Sequence, residues 1–297
     1  MSEQTRGTIE MAAAMTIAGT IGWFVIMSGQ PVIDVVFWRC VFGAVTLTAI
    51  CAARGLLRRD ALSPRQLLIA MAGGAAIVLN WLLLFGAYGH SSISIATTVY
   101  NTQPFMLVAL GALLFGERLT ANKLLWLAVA FGGVLLLVQA RPGLTQNGSD
   151  YLLGIGMALA SAFFYALAAI AAKKLTGVPP MLIVLVQVIV GTVMLAPLSH
   201  LATPPSGASA WAMLASLGAI HTGLAFILLY GAIQKLPTHL VGALSFIYPL
   251  VAIMVDVVAF GHNLYFLQVV GGAAILLAAA ATTLGWSPIG PRRTAGL

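Results

Sequence analysis

The chain has 297 residues, 61% of them hydrophobic and only 7% charged, against roughly 25% charged in an ordinary globular domain. With mean hydropathy at +1.03, so few Asp, Glu, Lys and Arg cannot cover a water-facing surface, and a soluble fold is excluded. The net charge of +7 would suit a nucleic-acid binder, but the basic residues are scattered between apolar runs, which argues against a nucleic-acid partner.

Taken in chain order, apolar runs broken by Gly, Pro and charge predict membrane helices over residues 8–27, 32–53, 67–87, 92–115 and 123–138. The second half continues with 152–175, 181–201, 211–233, 239–260 and 266–285. About 20 apolar residues cross about 30 Å of hydrocarbon, so the expected fold is all-α and integral to the membrane, with ten transmembrane helices. The first apolar run has no clear Ala-x-Ala cleavage site and reads as the first span, not as a removed signal peptide. Cys40 and Cys51 share one apolar stretch without a CxxC motif or a Cys/His partner, so they read as inert buried thiols. No metal, cofactor or disulfide is expected.

Lysine and arginine placement sets orientation, because cytoplasmic loops carry the excess. One alternating set of termini and loops holds Arg6; Arg54, Arg58, Arg59 and Arg65; Arg118 and Lys123; Lys173 and Lys174; Lys235; and Arg292 and Arg293. The opposite set holds Arg141 alone. This asymmetry predicts a multi-pass protein of the inner (plasma) membrane with both termini cytoplasmic.

A repeat is also visible. Shifted by 145, residues 73–119 lie over 218–264 without a gap, pairing Gly73 with Gly218, Gly86 with Gly231, Pro104 with Pro249, and the Phe115-Gly116 dipeptide with Phe260-Gly261. Trp81 over Phe226 and Phe85 over Tyr230 keep aromatic character. At a slightly different offset Ala14, Ala18 and Gly22 meet Ala158, Ala162 and Ala166, small-residue ladders that let helices approach closely. The expected units are residues 1–141 and 151–286. Each holds five spans, an odd number, so the second copy enters the membrane inverted. Inverted repeats are a transporter design with the substrate site at the repeat interface.

On these residues the chain resembles the drug/metabolite transporter superfamily, specifically proteins with two EamA repeats. The likeness is carried by Pro31 to Arg39 in the second span, Pro104 in the fourth, Gly116-Glu117-Arg118-Leu119 after it, and the later Pro249 and Gly261-His262-Asn263-Leu264. The second copy departs from the pattern, with His262 where Glu117 would recur and Gln187 where Arg39 would. Size and layout are similar to YddG-type bacterial amino-acid exporters, which implies a small-molecule substrate; other family members move nucleosides, sugars, polyamines and drugs.

Charge within hydrocarbon is costly and marks functional candidates. Asp34, Arg39 and Asp256 qualify, as an ion pair or a gate, with Arg39 expected to meet Asp256 because Asp34 is poorly spaced for it on one helix. Glu10, at the cytoplasmic edge, is expected to be solvated. Candidates for the substrate chamber are Trp23, Asn80, Trp81, Thr97, Tyr100, Asn101, Tyr165, Gln187, His221, Ser245 and Tyr248. Amide, hydroxyl and aromatic groups of this kind can meet an ammonium and a carboxylate. Ser94, Thr97 and Asn101 form a stripe ahead of Pro104, which is expected to kink its helix, and Pro104 and Pro249 are paired hinge candidates. For each polar residue, helix-to-helix hydrogen bonding is the competing reading.

The expected function is export of a small polar metabolite, an amino acid foremost, by alternating access. A pore would call for acidic rings or a filter-like repeat. An intramembrane enzyme would call for a motif such as HExxH or GxSxG. None of these patterns is present, so no catalytic residue is assigned. The scarcity of intramembrane carboxylates favours facilitated diffusion over proton coupling. The sequence does not fix the oligomeric state, and a monomer is compatible with it.

Overall fold

A computed structural model describes residues 2–58, 60–90, 96, 99–117, 119–139, 149–260 and 266–288. No strand occurs among the described residues. Seven helices span the first half and the start of the second: α1 (Glu3–Gly19), α2 (Ile21–Ser28), α3 (Val32–Ala53), α4 (Pro64–His90), α5 (Gln103–Phe115), α6 (Ala121–Gln139) and α7 (Ser149–Lys174). The remainder comprises α8 (Pro180–Leu195), α9 (Ala208–Ser216), a π-helical segment (Leu217–Leu224), α10 (Ala225–Lys235), α11 (Thr238–Ser245), α12 (Ile247–Phe260) and α13 (Phe266–Leu284).

Five helical stretches are long and apolar enough to cross a membrane, at Glu3–Ser28, Val32–Ala53, Pro64–Ala87, Leu152–Lys174 and Ala208–Lys235. Five shorter apolar helices, Gln103–Phe115, Ala121–Leu136, Pro180–Leu195, Thr238–Ala252 and Val269–Thr282, complete the apolar set. Large apolar side chains such as Leu113, Val193, Val258 and Phe266 stand outward and exposed, the inverse of a soluble protein's surface.

Local chemistry sets the helix ends. Ser2 caps α1 by accepting from the Thr5 amide at 3.1 Å. Gly29 (φ 63°) and Gly116 (φ 66°) close α2 and α5 in the left-handed conformation that glycine adopts without a Cβ penalty. The expected first span is interrupted at Thr20, between α1 and α2. The expected eighth span contains the π-helical turn, a feature found often at functional sites.

The fourth and ninth spans differ from expectation in one detail. Pro104 and Pro249 were expected to kink helices from within, but each sits in the first turn of a new helix, α5 and α12, where a missing N–H costs no hydrogen bond. The chain is interrupted just before them, by a turn at Asn101 and Thr102 and by another at Phe246. Asn101 and Phe246 are related by the 145-residue offset, so both copies break at the same place.

The most extensive helix packing joins the two halves. α3 lies on α8, α6 on α13 and α5 on α11; α4 lies on α7 as α10 lies on α1, and α5 lies on α7 as α12 lies on α1. α4 also packs on α8, as the π-helical segment packs on α3. Apart from α5 on α11, exchanging the halves leaves this set of pairings unchanged, and the largest hydrophobic core draws on both. Glycines make the crossings close: a Cβ on Gly218 would press into Phe42 and lie 2.7 Å from the Gly43 nitrogen, and one on Gly191 would lie 2.6 Å from Cys40 Sγ.

Gly218→Ala therefore overpacks the π-segment/α3 crossing and lowers stability by about 1–3 kcal/mol. Gly132→Ala, with nothing within 4 Å of the added carbon, leaves stability unchanged or raises it slightly. Thermal unfolding of the two variants in the same detergent checks the contrast.

Candidate functional site

A cavity of about 80 Å³ lies between the halves. At roughly 10–15 Å³ of such volume per water, it accommodates a body of about six waters. Much of its wall comes in repeat-related pairs: Trp81 with Phe226, Leu84 with Leu229 and Gln103 with Tyr248 at the 145-residue offset, and Ile21 with Tyr165 at 144. Trp81 and Phe226 meet edge to face at 5.5 Å and 86°, and Tyr100 meets Tyr165 at 6.2 Å and 78°. Such T-shaped contacts are the favoured aromatic geometry. Most of the remaining wall is apolar, from residues such as Met15, Ala18 and Ile77.

Arg39 is the one charged residue among the described residues of this wall. It projects from α3, is 0% exposed, and lies with its guanidinium carbon 3.8 Å from the centre of the Trp81 ring. Its Nε donates to Thr222 Oγ1 at 3.0 Å, and Thr222 in turn donates to the Leu217 carbonyl, five residues back in the π-helical segment, at 2.9 Å. Both terminal nitrogens of Arg39 lack a hydrogen-bond partner. Asp34 does not pair with it: its carboxylate accepts from the His200 backbone amide and contacts His200 Nδ1, each at 2.9 Å. The side chain of Asp256 lies outside the described residues, as do Thr97 and Ser94.

Of the sequence candidates, Arg39, Asn80, Trp81, Tyr100, Tyr165 and Tyr248 reach the cavity wall. Asn80 is committed to a clamp between α4 and α7, donating to the Ser161 carbonyl at 2.9 Å and hydroxyl at 2.8 Å, while Ser161 Oγ donates back to the Asn80 carbonyl at 2.8 Å. Trp23, Asn101, Gln187, His221 and Ser245 do not line the cavity. Gln187 Oε1 accepts from the Tyr230 hydroxyl at 2.6 Å. His221 stacks on Phe24 at 4.5 Å with Nε2 2.8 Å from Thr20 Oγ1, tying the break in the first span to the π-helical turn. Ser245 donates to the Val241 carbonyl at 2.8 Å, and Trp23 packs on Phe24 at 4.9 Å.

Gln103 escaped sequence reasoning. Its Oε1 is buried in the cavity wall without a partner, and its sequence signal was its position immediately before Pro104, matching Tyr248 before Pro249. Among the described residues no group of His, Cys, Asp and Glu gathers to hold a metal, and Cys40 and Cys51 are free and buried.

One end of the bundle is clasped by ion pairs between halves. Glu10, expected to be solvated, is instead largely buried, with Lys235 Nζ at 2.5 Å and Arg6 Nε at 2.9 Å. Glu117 accepts from Lys173 Nζ at 2.9 Å, from the Thr238 amide at 3.0 Å and from Thr238 Oγ1 at 2.5 Å. It thus caps the N-terminus of α11, where an anion also meets the positive end of the helix dipole. Burial pushes the Glu117 carboxyl up, but the hydrogen bonds from Thr238 and Lys173 and the Lys173 charge more than reverse it, leaving the group below its ordinary value of 4.5.

The comparisons with known proteins agree with this arrangement. The EamA-like transporter family matches the chain twice, over residues 6–139 and 152–284. An uncharacterized transporter, YxxF, of Bacillus subtilis (strain 168) is 29% identical over 285 residues, 94% of this chain and 90% of its own length. A probable amino-acid metabolite efflux pump of Escherichia coli (strain K12) is 38% identical over 82 residues, 27% of this chain and 26% of its own. A crystal structure superposes with a TM-score of 0.84 at 21% identity, covering 98% of this chain and 99% of that one, which establishes likeness of fold.

Glu117→Gln removes the anion from a capped helix end and lowers stability by about 1–3 kcal/mol. Because the folded carboxyl titrates below its unfolded value, its contribution is full above about pH 5 and fades as pH falls through the folded pKa. The wild-type advantage over Glu117→Gln in melting temperature is flat from pH 6 to 8 and shrinks toward pH 4.

Proposed function

Since the chain belongs to the EamA-like transporter family and is a multi-pass membrane protein, we propose that it exports a small polar metabolite, an amino acid foremost, by alternating access between two inverted five-helix repeats. The carrying observation is the cavity wall itself, built from residue pairs that occupy equivalent positions in the two copies. A site on the axis relating inverted repeats can open to either side by rocking one half against the other. The packing pattern that survives exchange of the halves supports that relation.

In this reading the five long and five shorter apolar helical stretches make ten crossings, residues 1–141 and 151–286 form the two repeats, and the matching breaks before Pro104 and Pro249 are the hinges. Trp81, Tyr100, Tyr165, Tyr248, Phe226 and Gln103 contact the substrate. The arginine- and lysine-rich end is cytoplasmic, and the Glu10–Lys235 and Glu117–Lys173 pairs hold that end closed until the halves separate. The efflux-pump relative is named for amino-acid metabolites. The absence of a carboxylate among the described residues of the cavity wall supports facilitated diffusion.

In proteoliposomes a flux screen over the amino acids finds saturable uptake and counterflow. Trp81→Ala raises KM several-fold, Ile26→Ala on the outer face leaves it unchanged, and an imposed pH gradient alone drives no accumulation. Non-saturating flux with single-channel steps overturns the carrier reading. Cysteine-accessibility mapping finds residues 2 and 288 on the same, cytoplasmic, side; opposite sides would rule out inverted repeats.

A further inference from the structure

Arg39 is a buried charge left half-satisfied. A guanidinium in hydrocarbon is expensive unless paired, and arginine within membrane spans ordinarily meets a carboxylate, backbone carbonyls or water. Here Thr222 holds Nε and the Trp81 face covers one side of the plane, which fixes the direction of the fork. The two Nη groups, carrying four of its five N–H donors, have no hydrogen-bond acceptor. Asp34 is engaged by His200, and none of the residues lining the cavity with Arg39 is acidic. What is missing is a planar, singly charged acceptor of two parallel N–H bonds, which describes a carboxylate.

We infer that Arg39 is the receptor for the carboxylate of the carried molecule, so that the substrates are organic monocarboxylates, amino acids included, with a compact apolar or aromatic remainder. The inference rests on the carrier reading of the same cavity and narrows it. A dianion such as a phosphate monoester would leave charge uncompensated, because Arg39 is the only ionic group among the described residues of the wall. Amines and polyamines would set a second cation beside the first. The rest of the molecule meets Trp81, Phe226, Tyr100 and Tyr248, and the unpartnered Gln103 Oε1 can accept from an α-ammonium without adding a charge. Gln187, which replaces arginine at the equivalent position of the second copy, has its carbonyl taken by Tyr230 and stands outside the wall, so the anion site is single and asymmetric.

The test uses the intact protein in detergent and three probes of one skeleton: phenylalanine, 3-phenylpropanoate (carboxylate only) and phenethylamine (amine only). Thermal stabilisation is titrated with each. Phenylalanine and 3-phenylpropanoate stabilise with half-saturation about tenfold or more below that of phenethylamine, as loss of a bidentate charged pair requires. Arg39→Gln removes that preference, and Arg39→Lys, which keeps the charge without the fork, retains part of it. Equal or stronger stabilisation by phenethylamine, stabilisation by none of the three, or an unchanged preference in a folded Arg39→Gln protein overturns the inference. Because the wild-type series stands without any variant, misfolding of Arg39→Gln does not rescue it. Liposome flux separates the two readings: carboxylate-selective binding without flux defeats the carrier and spares the receptor, whereas flux blind to the carboxylate defeats the receptor alone.

Discussion

In a lipid environment apolar side chains gain nothing by leaving the solvent, so helices associate only where their backbones come close enough for dense packing and polar contact. In this protein those approaches lie between the halves. Gly218 sits on Phe42 and Gly43, Gly191 on Cys40 and Val78, and Gly111 on Thr238, each leaving no room for a Cβ. Neither half packs chiefly on itself, so the cavity exists only because the two copies interleave. Its wall, its breaks and its ion pairs are all consequences of that crossing pattern.

The buried polar groups follow from the same constraint. A polar atom in hydrocarbon needs a partner, and here most find it across the interface between halves: Asn80 with Ser161, Thr222 with Arg39, Thr20 with His221, Asp34 with His200. The contacts are short, and they hold helices of the two halves together. Arg39 differs in that its partner on the opposite half satisfies one nitrogen, while its two terminal nitrogens stay buried without an acceptor. Among the described residues of a largely apolar, aromatic wall, Arg39 therefore sets a single charge beside the Trp81 ring.

The two copies share architecture and differ in chemistry. Breaks before Pro104 and Pro249 coincide, and aromatic residues face each other at Trp81 and Phe226. Against that symmetry, arginine in one copy is glutamine in the other, an α-helical turn in α4 is answered by the π-helical turn, and the first span is broken at Thr20 while α7 runs whole. The π-helical turn matters to the site because it carries both Thr222, which orients Arg39, and His221, which meets the broken first span. Symmetric scaffolding thus places the chamber, and local departures from symmetry equip it.

Hydropathy, loop charge and the 145-residue repeat are properties of contiguous sequence, and they sufficed for an all-helical membrane protein of two related halves and for its family. Trp81, aligned by the repeat with Phe226, and Tyr248, a mid-span aromatic, both stand in the cavity wall. Which polar side chain does what was not legible. Asn80, Gln187 and His221 look alike in sequence as mid-span polar residues, yet each is engaged by a partner between 43 and 201 positions away. Arg39 was expected to seek an acid, and Glu10 to seek water; the packing of α3 on the π-helical segment and of α1 on α10 gave them other neighbours. A side chain's role inside a membrane depends on which groups remain unsatisfied once distant helices meet, and that remainder is decided only by the tertiary structure.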